Sequence, residues 1–429
     1  MGSPARMKQV AAIVLNNGGP VMVVLSAVSG TTNALVEIHA AAANADVEEA
    51  AQKLSALHAQ YDKYVDELLS DTEQHADARA FVTDKFALLQ TFLNDATKPE
   101  TEKIILAQGE IISTHLFSWY LASQGVANKL IAALEFMRID KSGEPDEYYI
   151  KSMLRKELAP LKEHTLFVTQ GYICRNAFGE VDNLKRGGSD FTATLVGQAL
   201  EADEIQIWTD IDGMHNNDPR VVDKTFPIRQ ISYREAAELA YFGAKILHPT
   251  CVRPAEQGNI PIRLKNTLDP KAEGTLIGSD SLRRSITALA AKDNITAIKI
   301  TSGRMLNAYG FLKKVFEVFE RYETSIDMIT TSEVAVSLTI DDESNLSKIV
   351  QELKALGDVE VDAAQSSICV VGDFGMEQVG YASRIFDALR DIPIRMISYG
   401  GSRYNVSILV HSDDKKRALV ALNAGLFEF

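Results

Sequence analysis

The chain has 429 residues, enough for two or three domains, and its 46% hydrophobic and 24% charged content is that of an ordinary globular protein. A formal charge of −14 argues against a nucleic-acid surface, where affinity comes from clustered Lys and Arg. Three widely spaced cysteines (Cys174, Cys251, Cys369) suit neither a disulfide framework nor a zinc site and read as reduced core residues. No apolar run reaches transmembrane length and no signal pattern opens the chain, so a cytoplasmic protein is expected.

Residues 21–30 (VMVVLSAVSG) form a β-branched run that predicts a parallel strand buried on both faces. Residues 42–96 read as acidic helices, with Leu54, Leu57, Tyr61, Val65 and Leu68 recurring at three- and four-residue steps as one apolar stripe. Residues 103–110 (KIILAQGE) read as a strand, then a helix runs through Trp119. Further strands follow in LFVTQGYI, EIQIWTDID and IPIRLKN. Strands alternating with helices indicate an α/β fold with a mostly parallel sheet. Four of these strands end in polar residues: Ser26 and Ser29, Gln108 and Glu110, Thr169 and Gln170, Thr209 and Asp210. Ligands of open α/β sheets bind outside the carboxyl ends of the strands, so four such endings suggest a shared crevice.

The rhythm breaks at a polar stretch, residues 279–284, a domain boundary by composition. Beyond it a unit of strand, helix, strand, turn and strand occurs twice, setting Met328 against Met396 and Val336 against Val406. Duplicated small α+β units bind ligands or partners at their seams. An extra strand at residues 286–291 precedes the first copy.

In residues 185–193 (KRGGSDFTA), two consecutive glycines ahead of a helix start let backbone N–H groups approach a ligand, and a helix N-terminus favours an anion. Arg186 adds a fork suited to carboxylate or phosphate. The plainer alternative makes Ser189 or Asp190 a simple N-cap. Residues 209–220 (TDIDGMHNNDPR) offer Asp210, Asp212, Asp218 and Arg220, either as a loop gripping a nucleotide and its metal or as a polar turn. In residues 242–249 (FGAKILHP), Lys245 is either a site residue or a partner of a helix dipole. His215 and His248 lie in no ligand-spaced cluster and read as hydrogen-bonding groups. DKSGEPDEY is no calcium loop, since its glycine is fourth rather than sixth and the closing Glu is missing. Without a Walker A pattern, kinase glycine loop or nucleophile elbow, a nucleotide site here has another design.

In this order, LSAVSGTTN, LAQGE, RGGSDFTATL, TDIDGMHNNDPR and GAKILHP, followed by the duplicated tail, resemble the aspartate kinases over nearly the whole chain. The resemblance implies a three-layer αβα amino-acid kinase fold with a mostly parallel sheet over residues 1–282. Two α+β, ferredoxin-like ACT domains would fill residues 283–429. Because the family nests its first ACT unit inside the second, the expected units are about 295–362 and about 366–429, the latter with strand 286–292. The implied reaction transfers the γ-phosphate of ATP to the side-chain carboxylate of L-aspartate, giving 4-phospho-L-aspartate, the first step toward lysine, threonine and methionine. ATP and Mg²⁺, the metal held mainly by the phosphates, would be the cofactors. An amino-acid effector, L-lysine, would act through the ACT pair, which would also join a homodimer or higher oligomer.

By the same resemblance, Arg186 holds the α-carboxylate of aspartate, Ser189 shapes the pocket, and Asp190 sits at its centre, organising a lysine or magnesium. Thr32 and Glu110 match the other aspartate contacts, Glu110 being suited to the α-amino group. Ser26, Gly30, Thr209, Asp210, His215, Arg220, Lys245 and Ile246 match nucleotide-binding positions, with His215 where a Tyr is common. Met305, Gly310, Phe311, Asp327, Thr331, Ser332 and Glu333 match the effector site. There Asp327 and Glu333 would hold an ammonium, and N–H groups near Gly310 the effector carboxylate. Without the family those acids read as a solvated turn. One departure stands out: family members begin with a strand ending Lys-Phe-Gly-Gly-Thr-Ser, whereas this chain opens MGSPARMKQV, like the helix after that motif. Either the start is assigned too far downstream or this is a genuinely truncated form; the first is the expectation, with little activity until the upstream lysine motif is restored. Two other readings are a catalytically inactive ACT-type amino-acid sensor and a kinase of the same fold acting on glutamate or a nucleotide. The first is opposed by Arg186, Asp190, Asp210 and Lys245, the second by the ACT pair and LSAVSGTTN.

Overall fold

The computed structural model describes residues 1–185, 187–242, 247–279, 286–305, 309–375 and 379–427. They form two compact units, Met1–Asp212 with Leu247–Glu273, and Gly213–Ile246 with Gly274–Phe429. Packing therefore divides the chain elsewhere than at 282/283, because residues 213–242 and 274–279 fold with the tail. The polar break at 279–284 lies almost wholly outside the described residues.

In the first unit, strand Val21–Leu25 pairs in parallel with Leu166–Gln170, which pairs in parallel with Lys129–Leu130. Side chains alternate across a strand. Val23, Leu25, Leu166 and Val168 enter a core shared with the helices of residues 4–123, while Met22 and Phe167 face a second core built by Ile150, Leu154, Leu195 and Val196. Helices thus cover both faces, and a β-branched run without polar alternation is the sequence such a strand requires. A further parallel pair joins Ile205–Thr209 to Ile262–Asn266. The expected stripe is realised on helix Val47–Leu69, where Leu54, Leu57, Tyr61, Val65 and Leu68 are all buried.

One assignment is corrected. Residues 103–110 are not a strand but part of helix Pro99–Ser123. Ile105, Ile112 and Leu116 face one core while Ala107 belongs to the other, so the helix is apolar on two sides. An apolar run of this length does not distinguish a buried helix from a buried strand. Gly109 is what lets the helix lie so close: a Cβ there would stand 2.9 Å from that of Ala27.

The second unit is built on a six-stranded antiparallel sheet in the order Ile329–Thr331, Ala335–Ile340, Ile286–Thr301, Asp358–Gly372, Asn405–His411, Met396–Tyr399. The extra strand is continuous with the first copy. Residues 286–292 run beside Ser367–Gly372, and 295–301 beside residues 358–365, with register shifts between them. Each copy closes on a helix, Leu346–Leu353 or Lys415–Leu426. Val336 and Val406 anchor the two separate cores, whereas Met328 and Met396 meet in a shared one with Ile295, Ala297 and Leu409. Helix Tyr233–Tyr241 also belongs here, capped by reciprocal bonds between Ser232 and Glu235. The three cysteines are buried free thiols, and no helix among the described residues is long and apolar enough to cross a membrane.

Candidate active site

The glycine pair is used as the sequence suggests. Gly187 and Gly188 both take positive φ, +74° and +48°, and the helix Gly188–Leu200 begins without any side-chain cap. Neither Ser189 nor Asp190 caps it, so the plain N-cap reading fails. Ser189 instead faces the sheet. Ser26 Oγ, just past strand Val21–Leu25, donates to Ser189 Oγ at 2.8 Å, and the Ser26 carbonyl accepts from Ser113 Oγ at 2.8 Å. Gly171 has to be a glycine for this: a Cβ there would lie 2.3 Å from both Cβ and Oγ of Ser189.

Glu110 comes to the same strand end from the helix. Its Oε1 accepts from the Ala27 N–H at 3.2 Å, while Oε2 is buried without a hydrogen-bond partner. Burial pushes its carboxyl up to about 7, against the smaller opposing effect of the Ala27 bond. Asp190, half-buried in the first helical turn, is pushed up to about 6 by burial. Both carboxyls are desolvated, which disfavours their charged forms unless a cation is near. Thr169 Oγ1 and Gln108 Oε1 are also buried without partners.

Thr32 lies half-buried in the first turn of helix Thr31–Ala43. The neighbouring Thr31 shares a buried bond of 2.7 Å with Tyr61. Sequence reading missed both residues, since Tyr61 fitted the apolar stripe and gave no other signal. Gly30 precedes that helix, and Ser26 and Gly30 are both exposed.

The segment 209–220 is divided between the units. In the first, the Thr209 carbonyl accepts from the backbone N–H and Oγ1 of Thr267, both at 2.8 Å, and Asp210 is exposed at the strand end. In the second, His215 Nδ1 shares a 3.1 Å bond with Thr225 Oγ1, and Arg220 makes a two-pronged bond to Asp218 (2.9 and 2.8 Å). His248 caps helix Pro249–Gly258 by accepting from Thr250 N, in keeping with a hydrogen-bonding role. Arg186, Lys245 and Ile246 lie outside the described residues.

Of the effector positions, Met305 packs against the first repeat's core, and Gly310 precedes helix Phe311–Arg321, whose Phe311 is buried. Thr331 and Glu333 are exposed, and Ser332 Oγ accepts from Ala335 N at 3.1 Å. Asp327 is not an open carboxylate. It accepts from Tyr241 Oη and pairs with Lys292 Nζ at 3.3 Å, while Lys292 also meets Asp341 at 2.7 Å and lies 4.8 Å above the Tyr241 ring. The expected ammonium site already holds an ammonium from the chain itself.

Among the described residues no three His, Cys, Asp or Glu side chains cluster to hold a metal ion.

Comparison with known proteins gives the family. Residues 1–266 match the amino acid kinase family model, and residues 368–426 match an ACT domain model. The chain is 34% identical to lysine-sensitive aspartokinase 3 of Escherichia coli K12, over 98% of this chain and 96% of that protein. It is also 34% identical to a chloroplastic aspartokinase 3 of Arabidopsis thaliana, over 100% of this chain and 80% of that protein. Among solved structures, E. coli aspartokinase III with aspartate and ADP matches with TM-score 0.87 and 33% identity, covering 100% of this chain and 97% of that one. The same enzyme with lysine and aspartate matches at 0.82 and 34%, with the same coverage. These relatives are kinases, so the reading as an inactive sensor is not favoured. With family models on both parts and relatives matched along its length, the chain belongs to the aspartokinases of the amino acid kinase family.

Proposed function

We propose that this protein phosphorylates the side-chain carboxylate of L-aspartate with ATP, giving 4-phospho-L-aspartate. The observation that carries the reading is the buried Glu110 carboxylate, with one oxygen open, near the Ser26–Ser189 contact. An α-ammonium is the natural partner for that oxygen. Arg186, next to the glycine pair, takes the α-carboxylate, and Thr32 and Ser189 complete the aspartate contacts. The attacking carboxylate is ionised at neutral pH, so no general base is needed. Catalysis then consists of aligning two anions and offsetting their repulsion. Ser26, Gly30, Thr209, Asp210, His215, Arg220, Lys245 and Ile246 take the nucleotide, and Mg²⁺ supplies charge neutralisation when it arrives with the phosphates. Asp190 keeps a positive group at the centre of the site. The test is ADP release: it should require L-aspartate, and L-glutamate should not replace it. Equal rates with glutamate would move the protein to another branch of the fold.

The tail, residues 283–429 as tandem ACT domains, would bind an amino-acid effector and join a homodimer. L-Lysine is the effector of choice because Asp327 already binds an ammonium. It would have to displace Lys292. Calorimetry should rank lysine above threonine and methionine, and Lys292→Met should tighten lysine binding about fivefold, the scale of a partly exposed ion pair. Threonine binding without lysine binding would overturn the effector assignment.

A further inference from the structure

Loop 217–224, which carries Arg220, is stapled at its base by a residue about two hundred positions away in sequence. Asn423, on helix Lys415–Leu426, is 4% exposed. Its Oδ1 accepts from the side-chain amides of both Asn216 and Asn217 at 3.2 Å, and its Nδ2 donates to the Lys224 carbonyl at 2.9 Å. One side chain therefore grips both the outgoing and the returning arm of the loop. Two further bonds reach the loop base from afar: Asn217 Nδ2 donates to the Leu419 carbonyl at 3.4 Å and the Asn216 carbonyl accepts from Leu289 N at 2.8 Å; the remaining closures are local. Asn216 Oδ1 and N both bond Phe226, Asn217 Oδ1 accepts from Asp218 N, and the Asp218 carbonyl accepts from Val221 and Val222. Val222 is buried in the core of the second repeat, and Phe226 meets Phe427 edge-on at 5.6 Å. At the tip, Asp218 holds Arg220, whose side chain is 82% exposed.

We propose that Asn423 is a positioning residue for the nucleotide: it sets the conformation of loop 217–224 and so the place of the Arg220 guanidinium. The proposal rests on the reading above that Arg220 meets ATP phosphates. Buried amides justify such a role, because each bond is short of water and an unmade one costs more than a made one returns. Apolar side chains would hold the helix against the loop as well but would leave the returning arm at Lys224 without its bond to the helix.

The probe is MgADP, titrated calorimetrically into the full chain, with L-aspartate as the control ligand. Asn423→Ala should raise the MgADP Kd about tenfold, the equivalent of one to two hydrogen bonds, with the aspartate Kd unchanged. Asn423→Asp keeps the acceptor for both amides and loses the donor to Lys224, so its MgADP affinity should fall between those of Asn423→Ala and the parent. The double variant Arg220→Ala/Asn423→Ala should bind MgADP no more weakly than Arg220→Ala alone, because Asn423 acts through Arg220. If Arg220→Ala weakens MgADP while Asn423→Ala does not, the positioning role is overturned and the nucleotide reading stands. Additive losses, or equal losses for MgADP and aspartate, also overturn it. If Arg220→Ala itself binds MgADP like the parent, the loop reading fails and the proposal falls with it. Should Asn423→Ala not fold, Asn423→Asp decides, and parental affinity in that variant overturns the role.

Discussion

Glu110→Gln should weaken L-aspartate binding about 10- to 100-fold at pH 8 while making the ligand-free protein more stable there. Both effects come from one buried carboxylate. Burial holds Glu110 at about 7 against an ordinary value of 4.5. The folded state is therefore favoured by this group only while it is protonated. Its contribution is complete below pH 4.5, declines as the pH rises toward 7, and above 7 leaves a penalty of roughly 3 kcal/mol relative to the unfolded chain. Glutamine removes that penalty but leaves an amide to satisfy, so a net gain of about 1–2 kcal/mol is expected at pH 8 and none at pH 5. Thermal melts at the two pH values measure it. Aspartate binding has the opposite dependence. An α-ammonium binds the ionised acid, so affinity should fall about tenfold per pH unit below 7, with proton release on binding, and the Gln variant should lose that dependence. An aspartate affinity flat from pH 6 to 8 in the parent would show that Glu110 meets no cation.

The larger effect on turnover belongs to Asp190. Asp190→Asn should lower kcat by about 10²–10³ with aspartate and nucleotide affinities changed little, the usual consequence of removing a charged group that acts in the transition state. The site has to hold a carboxylate and a polyphosphate together. Asp190 is desolvated in the first turn of the Gly188 helix, and burial alone pushes it up to about 6. An acid in that state attracts and orients a cation, whereas an amide of the same shape does not. Turnover in the parent should accordingly decline as the pH falls through about 6, where Asp190 takes up a proton, and the Asn variant should show a low rate without that limb. A full rate in Asp190→Asn would move the charge-organising role to a lysine of the site, Lys245 first.

The sequence by itself determined the layered architecture and the chemistry available to it. A β-branched run such as residues 21–25 is stable only between two apolar layers, and the alternation of Val23 and Leu25 with Met22 across the sheet follows from that. Two adjacent glycines at a helix start likewise pointed to a left-handed backbone there, and both take positive φ. The repeat in the tail was legible for the same reason, since each copy carries its own core positions, Val336 and Val406 among them. Tertiary structure alone decided which residues meet. The helix at 103–110 reads as a strand because it is buried on two sides, and periodicity disappears when no face is wet. Tyr61 lay hidden in an apolar stripe until its hydroxyl was seen against Thr31. Asp327 looked open until Lys292 and Tyr241 were placed on it, and Asn423 showed no pattern at all. Local pattern encodes burial and backbone conformation. A hydrogen bond between residues two hundred positions apart depends on how the chain returns, and no window of sequence contains that.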